Sequence, residues 1–383
     1  MIIKQLHRDI FITSIGHFLV HSITMILPAI LILLEKEFSI SLISLGKLAT
    51  VQVLFLGLGG FPSGILTDKF GSRFVLIIYF LGIIFSSIWL YFSNTFNMVA
   101  IGLGLLGLVT GLYHPAGLKV VSHSSNISRY MSYHGIFGSL GLATGPIYGV
   151  WMSNWLGWRV AYLLLSILAF IGIIIIFLSN KENSIVKSKT KLNFKFNTSQ
   201  IIIIAIASLW GLAHHGLFNF LPYYFNNSVQ TNWTPMIGSG ILTGFVLLIG
   251  IVGQLLGGRL GEYFLRKNIY VFVVGLNIPF LIIMAFYNGW ILVGITAILG
   301  AINFMFQPIN NSLIADVTDK GSRGFVYGIS FGLSFGVGSF SGYMGGLIAE
   351  YYQMSYIFPT LSILLIPASI LAYMLRNEGI LSK

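Results

Sequence analysis

Nine stretches of this chain run without a single Asp, Glu, Lys or Arg: 10–34, 48–67, 74–118, 130–158, 160–180, 196–258, 268–315, 324–349 and 351–375. A helix needs about 20 such residues to cross the hydrocarbon core of a bilayer, and each stretch is long enough. Three of them, 74–118, 196–258 and 268–315, are long enough to cross twice, with polar or glycine-bearing breaks at Asn94-Thr95, Asn226 to Thr234 and Asn288-Gly289. The pattern predicts an all-α membrane protein of twelve transmembrane helices. Only 8% of the 383 residues are charged, whereas soluble chains carry about 25%, so the water-soluble classes are excluded. Stretch 10–34 is too long for the core of a cleavable signal, and no small-residue cleavage site follows it.

The net charge of +11 has a topological origin. With the N-terminus in the cytoplasm, all of the 21 Lys and Arg except Lys36, Lys47 and Arg159 fall on cytoplasmic segments, as the positive-inside rule requires. Both termini are therefore expected inside. Basic residues spread over short loops form no stripe or groove, which excludes nucleic acid as a partner. The stretch from Asn180 to Gln200 holds five lysines and divides six spans from six. The expected domains are a six-helix bundle at 1–180, a cytoplasmic linker at 181–199 and a second bundle at 200–383.

The halves repeat each other. At an offset of 194, Ser14, His21, Pro28, Asp68 and Arg129 meet Ser208, His215, Pro222, Glu262 and Arg323, and at 193 Pro115 meets Pro308. Several matches at one offset indicate two pseudo-symmetric bundles, an organisation common in transporters.

Between spans 2 and 3 lies Gly64-Ile-Leu-Thr-Asp68-Lys69-Phe70-Gly71-Ser-Arg73, echoed by Gly258-Arg-Leu-Gly-Glu262 with Arg266. This segment resembles the loop 2-3 signature of the major facilitator superfamily. The resemblance covers the whole chain and implies a conformational switch made of Gly64, Asp68, Gly71, Arg73, Arg129, Glu262, Arg266 and Arg323, in which the acid braces the start of helix 11 at Ser322-Arg323-Gly324. In span 5, Gly138, Gly141, Gly145, Pro146 and Gly149 resemble the glycine-proline signature of superfamily antiporters; glycines three and four apart serve close helix packing equally well. Span 11 carries a similar run from Gly332 to Gly346. Gly111-Leu-Tyr113-His114-Pro115-Ala-Gly117 resembles the Tyr/Phe-His-Pro stretch of fosmidomycin-resistance-like exporters. The arginine that drug:proton antiporters often carry earlier in span 4 is missing here, since Gly102 to Gly107 holds only Leu and Gly.

Ionisable residues at membrane depth mark function, and here they are histidines. His17 and His21 stand one turn apart on span 1, His114 is in span 4, His134 about one turn inside span 5, and His214 and His215 are in span 7. The resemblance places spans 1, 4, 7 and 10 around a central cavity, where the repeat pairs His21 with His215 and His114 with Gln307. Tyr113, Asn303 and Asn311 join them as candidate binding or proton-coupling residues. Imidazole titrates near neutral pH, so it can carry a proton; it can equally serve as a neutral partner in a helix contact.

The expected function is export of a small anionic or neutral amphipathic compound in exchange for protons, by alternating access. Other readings are a proton-driven importer of a nutrient such as a carboxylate, a divalent metal or metal-chelate exporter, and a non-transporting sensor or scaffold. No anionic side chain accompanies the imidazoles, which weighs against a metal site, and none is assigned. No cysteine, GxxxxGK[ST] or HExxH occurs, so neither an enzymatic activity nor a cofactor is expected. The expected partners are a small-molecule substrate, protons and the lipid bilayer, with the chain a monomer in a bacterial cytoplasmic membrane.

Overall fold

The computed structural model describes residues 2–122, 127–178, 196–319 and 323–375, and of 2–10, 122, 127–133 and 324 the backbone alone. These residues form fifteen α-helices and one 3-10 turn, Met354–Tyr356, with no strand among them. The helices are α1 (Ile2–Thr24), α2 (Ile26–Phe38), α3 (Leu42–Phe70), α4 (Ser72–Tyr91), α5 (Phe96–Gly111), α6 (Tyr113–Ser122), α7 (Ile127–Leu156) and α8 (Trp158–Leu178), then α9 (Thr198–Ser228), α10 (Pro235–Tyr263), α11 (Arg266–Met284), α12 (Gly289–Asp316), α13 (Arg323–Gly338), α14 (Phe340–Tyr351) and α15 (Ile357–Met374).

Ten helical segments are long and apolar enough to span a bilayer, with α1 and α2 counting as one crossing and α5 and α6 as another. Spans 5 and 11 of the twelve-span expectation are not among the ten. Glycines and polar side chains dilute the apolarity of α7. Span 11 divides at Ser339 into α13 and α14, of 16 and 12 residues.

Two prolines explain two of the breaks. A proline ring clashes with the carbonyl four residues earlier. Pro28 therefore acts on Thr24, where α1 ends, and Pro115 acts on Gly111, where α5 ends. At both places a threonine turns its hydroxyl back on its own helix. Thr24 donates to Val20 and His21 carbonyls, and Thr110 to those of Leu106 and Gly107, a contact that bends helices. The Leu112 carbonyl at the second break accepts from Ser63 Oγ at 2.5 Å. These breaks set His21 and the Tyr113-His114 pair beside the irregular turns.

The chain forms two compact units, Met1–Ser39 with Val51–Lys189, and Ile40–Thr50 with Thr190–Lys383. In the first, α1 packs on α7 and α4 on α8. The glycines of α7 make its contact with α1 and the start of α2 possible: a Cβ on Gly141 would lie 2.3 Å from the Phe18 carbonyl oxygen, and one on Gly145 would lie 2.7 Å from Met25 Cβ. Gly149 faces Ile26 in the same way, and Pro146 is buried within the helix. At one end of this unit Glu37 accepts from Trp158 Nε1 at 2.7 Å and Arg159 Nη2 at 2.5 Å, while Arg159 also donates to the Ser93 carbonyl. Arg159 thus joins the ends of α2, α4 and α8.

In the second unit α10 packs on α12, α9 on α13 and α11 on α15. A Cβ on Gly253 would lie 1.8 Å from the Ala301 oxygen, and one on Gly211 2.1 Å from that of Ser334. The 40–50 segment belongs here: Gly46 meets Gly342 and Gly346, and Thr50 Oγ1 donates to the Ser339 carbonyl and accepts from the Tyr343 amide. The glycines of span 11 thus pack against α9 and the start of α3.

Candidate functional site

The first unit gathers four histidines and a tyrosine. His17 and His21, four residues apart on α1, bring their Nε2 atoms to 3.2 Å. Rings of His17 and His134 stack at 4.0 Å between centroids, and His114 lies 5.2 Å from His17 and 5.4 Å from His21. His17 Nδ1 is 2.6 Å from the His134 carbonyl oxygen. An oxygen of that kind only accepts, so Nδ1 carries the proton and Nε2 the lone pair. The His21 Nε2–H then donates to His17.

The sequence supplies the room for this cluster. A Cβ on Gly138 would sit 2.3 Å from the His17 ring, and one on Gly16 2.3 Å from the Tyr113 ring. The Tyr113 hydroxyl donates to the Thr13 carbonyl, and Tyr79 donates to that of Gly16 at 2.8 Å. Both tyrosines are fully buried and hold α1 in register with α4 and α6. The roles of the His134 carbonyl and of Tyr79 are invisible to sequence reasoning, because neither follows from helical period.

In the second unit the polar groups form a directed chain. His214 Nδ1 donates to Asn303 Oδ1 at 2.7 Å, Asn303 Nδ2 to Asn277 Oδ1 at 3.2 Å, and Asn277 Nδ2 to the Val273 carbonyl at 2.7 Å. Asn303 and Asn277 are buried. A buried donor left without its acceptor costs about 1 to 3 kcal/mol. Asn303→Ala is accordingly expected to destabilise the purified protein by that amount, read as a lowered melting temperature in detergent. His215 instead packs against Phe335, with its Cδ2 2.7 Å from where a Gly338 Cβ would be.

Two candidates stand apart. Gln307 is exposed, with its Oε1 3.5 Å from Gln254 Nε2 on α10. Asn311 is exposed, and its carbonyl accepts from the Tyr327 hydroxyl at 2.6 Å. Asn310, next to it, accepts from the Tyr270 hydroxyl at 2.7 Å.

Among the switch candidates, Asp68 pairs with Lys119 of α6 at 2.9 Å, an exposed contact of the kind worth about 0 to 1 kcal/mol. Gly71 has φ 87° and opens α4, a conformation that requires glycine. Gly64 has open space around it and Arg73 is half-buried on the first turn of α4. Glu262 is exposed; the ion pair of the second copy is Arg266 with Asp316 at 2.5 Å. Arg323 donates to the Thr318 and Ala315 carbonyls, covering the C-terminal end of α12, where a cation is favoured. The Arg129 side chain and Ser322 lie outside the described residues.

The sequence profile of the Major Facilitator Superfamily matches residues 13–343 and, in a second match, 239–380. The chain belongs to this superfamily. It is similar to the fosmidomycin resistance protein of Escherichia coli, with 23% identity over 90% of this chain and 87% of that one. It is also similar to the class H tetracycline resistance protein of Pasteurella multocida, with 22% identity over 73% and 72%. A solved D-xylose-proton symporter has the same fold, with a TM-score of 0.79, 14% identity, and coverage of 97% of this chain and 98% of that one. This superfamily member is thus an integral membrane transporter, with resistance and efflux proteins among its relatives.

Proposed function

We propose that this chain exports a small anionic or neutral amphipathic organic compound in exchange for protons, by alternating access. The reading includes twelve crossings, with α7 and the α13–α14 pair as the two beyond the ten apolar segments. It also includes two six-helix bundles, 1–180 and 200–383, joined by 181–199, and both termini inside a bacterial cytoplasmic membrane. One observation carries the choice of cargo: the polar side chains within the spans are imidazoles, amides and hydroxyls, while from Glu35 onward every described Asp and Glu stands at or beyond a helix end. A permanent cation would find no counter-charge there, whereas an anion or a neutral compound finds donors. Binding is assigned to His17, His21, Tyr113 and His114 in the first unit and to Asn303 in the second. Proton exchange is assigned to His214 and His215. The resistance proteins among the relatives favour the outward direction.

The test uses the full chain in proteoliposomes under an imposed pH gradient, with fosmidomycin as the first probe and tetracycline as the second. Drug-dependent proton movement is expected, and growth in either drug should improve when a sensitive host expresses the chain. His215→Ala is expected to bring proton movement to the level of empty vesicles while leaving probe binding measurable. Proton movement that persists in His214→Ala and His215→Ala would remove the coupling assignment. The absence of any probe-dependent movement or resistance would remove the export reading.

A further inference from the structure

The geometry points to a transition-metal site: we propose that His17, His21 and His114 hold one divalent ion of the zinc class within the first unit. One ring nitrogen from each of the three lies within 4.8 Å of the others. Two ligands on a tetrahedral ion with bonds of about 2.0 to 2.1 Å stand roughly 3.3 Å apart, and the His17 and His21 Nε2 atoms are 3.2 Å apart. The orienting hydrogen bond is in place too. His17 donates Nδ1–H to the His134 carbonyl, the outer contact by which metal-binding imidazoles are held in one tautomer. All three rings are half-buried, which leaves an ion a route in.

The donor set selects the ion. Three imidazoles suit zinc, copper, nickel or iron, whereas magnesium and calcium require oxygen ligands. Three histidines with an open fourth position are also a known zinc arrangement. Coordination through Nε2 requires His21 to carry its proton on Nδ1, and three neutral rings then bind the ion without releasing a proton. Neutral ligands leave the ion its full charge, and the fourth position therefore favours water, hydroxide or an anion. This inference rests on the reading of His17, His21 and His114 as binding residues and deepens it: the ion would sit on those three rings, and the anionic ligand that the side chains lack would come from outside.

The test is metal binding by the full chain in detergent, purified through an affinity tag free of histidine and stripped with a chelator. Titration with cobalt is expected to saturate at one ion per chain, with the intense visible absorption of a tetrahedral site, and zinc should displace it. His17→Gln, His21→Gln and His114→Gln should each weaken binding about 10- to 100-fold or more. His114→Cys guards against loss through misfolding: in the cobalt form it should add a thiolate charge-transfer band, which arises only when position 114 ligates the ion. Absence of saturable binding overturns the proposal. So does binding unaffected by the three glutamine variants, or a cysteine variant that binds without the new band.

Discussion

Gly141→Leu is expected to leave no folded protein. The Cβ alone would stand 2.3 Å from the Phe18 carbonyl oxygen and 3.0 Å from its carbon, and both are backbone atoms of α1 that no rotamer change can move. Relief requires α7 and α1 to separate, which opens the contact that also seats His17 over Gly138. Overpacking typically costs about 1 to 3 kcal/mol and sometimes more; a leucine against fixed backbone belongs at the top of that range or beyond. Gly135→Ala on the same helix is the control, because its Cβ would meet nothing within 4 Å. Monodisperse yield in detergent and melting temperature provide the readout. A leucine variant as stable as the control would show that the α1–α7 contact is not the tight one described.

The second large effect is expected from Asp316→Asn. Asp316 is 6% exposed in its side chain and holds Arg266 at 2.5 Å, linking the end of α12 to the start of α11. Breaking a buried pair from one side costs about 3 to 5 kcal/mol, and because Arg266 is 24% exposed the lower end applies. Asp68→Asn, which removes an exposed partner of Lys119, is the comparison and should cost far less. The exchange Arg266→Asp with Asp316→Arg should recover part of the loss. A melting temperature equal to that of wild type in Asp316→Asn, or no recovery in the exchange, would rule out the pair as a stabilising link.

Much of the fold was legible in the sequence because it depends on composition and on local chemistry. Charge-free runs mark the spans, and Pro28 and Pro115 end α1 and α5 four residues earlier, as ring sterics demand. The clustering of His17, His21 and His114 was also within reach, since two of them share a helix face and the third follows a break. Partner choice was not legible. The offset of 194 makes Asp68 and Glu262 equivalent, yet the first copy uses its acid, with Lys119, and the second uses its base, with Asp316. A repeat fixes where a residue stands and not what it meets: Gln307 lies beside Gln254 of α10, while Asn303, one turn earlier on the same helix, meets His214. The His134 carbonyl carries no residue-type signal at all.

The three ion pairs among the described residues, Asp68 with Lys119, Glu37 with Arg159 and Asp316 with Arg266, bear on biosynthesis. Each joins residues at or near helix ends, so none of these six charges has to pass into hydrocarbon while the ribosome delivers the helices one by one. A charge at mid-helix costs about 2.5 to 3.5 kcal/mol at the translocon, and the polar groups that this chain places within its helices are imidazoles and amides, which can cross in a neutral form. Individual helices can therefore enter the bilayer before their partners exist, and the polar cluster is assembled afterwards from parts that crossed as neutral groups.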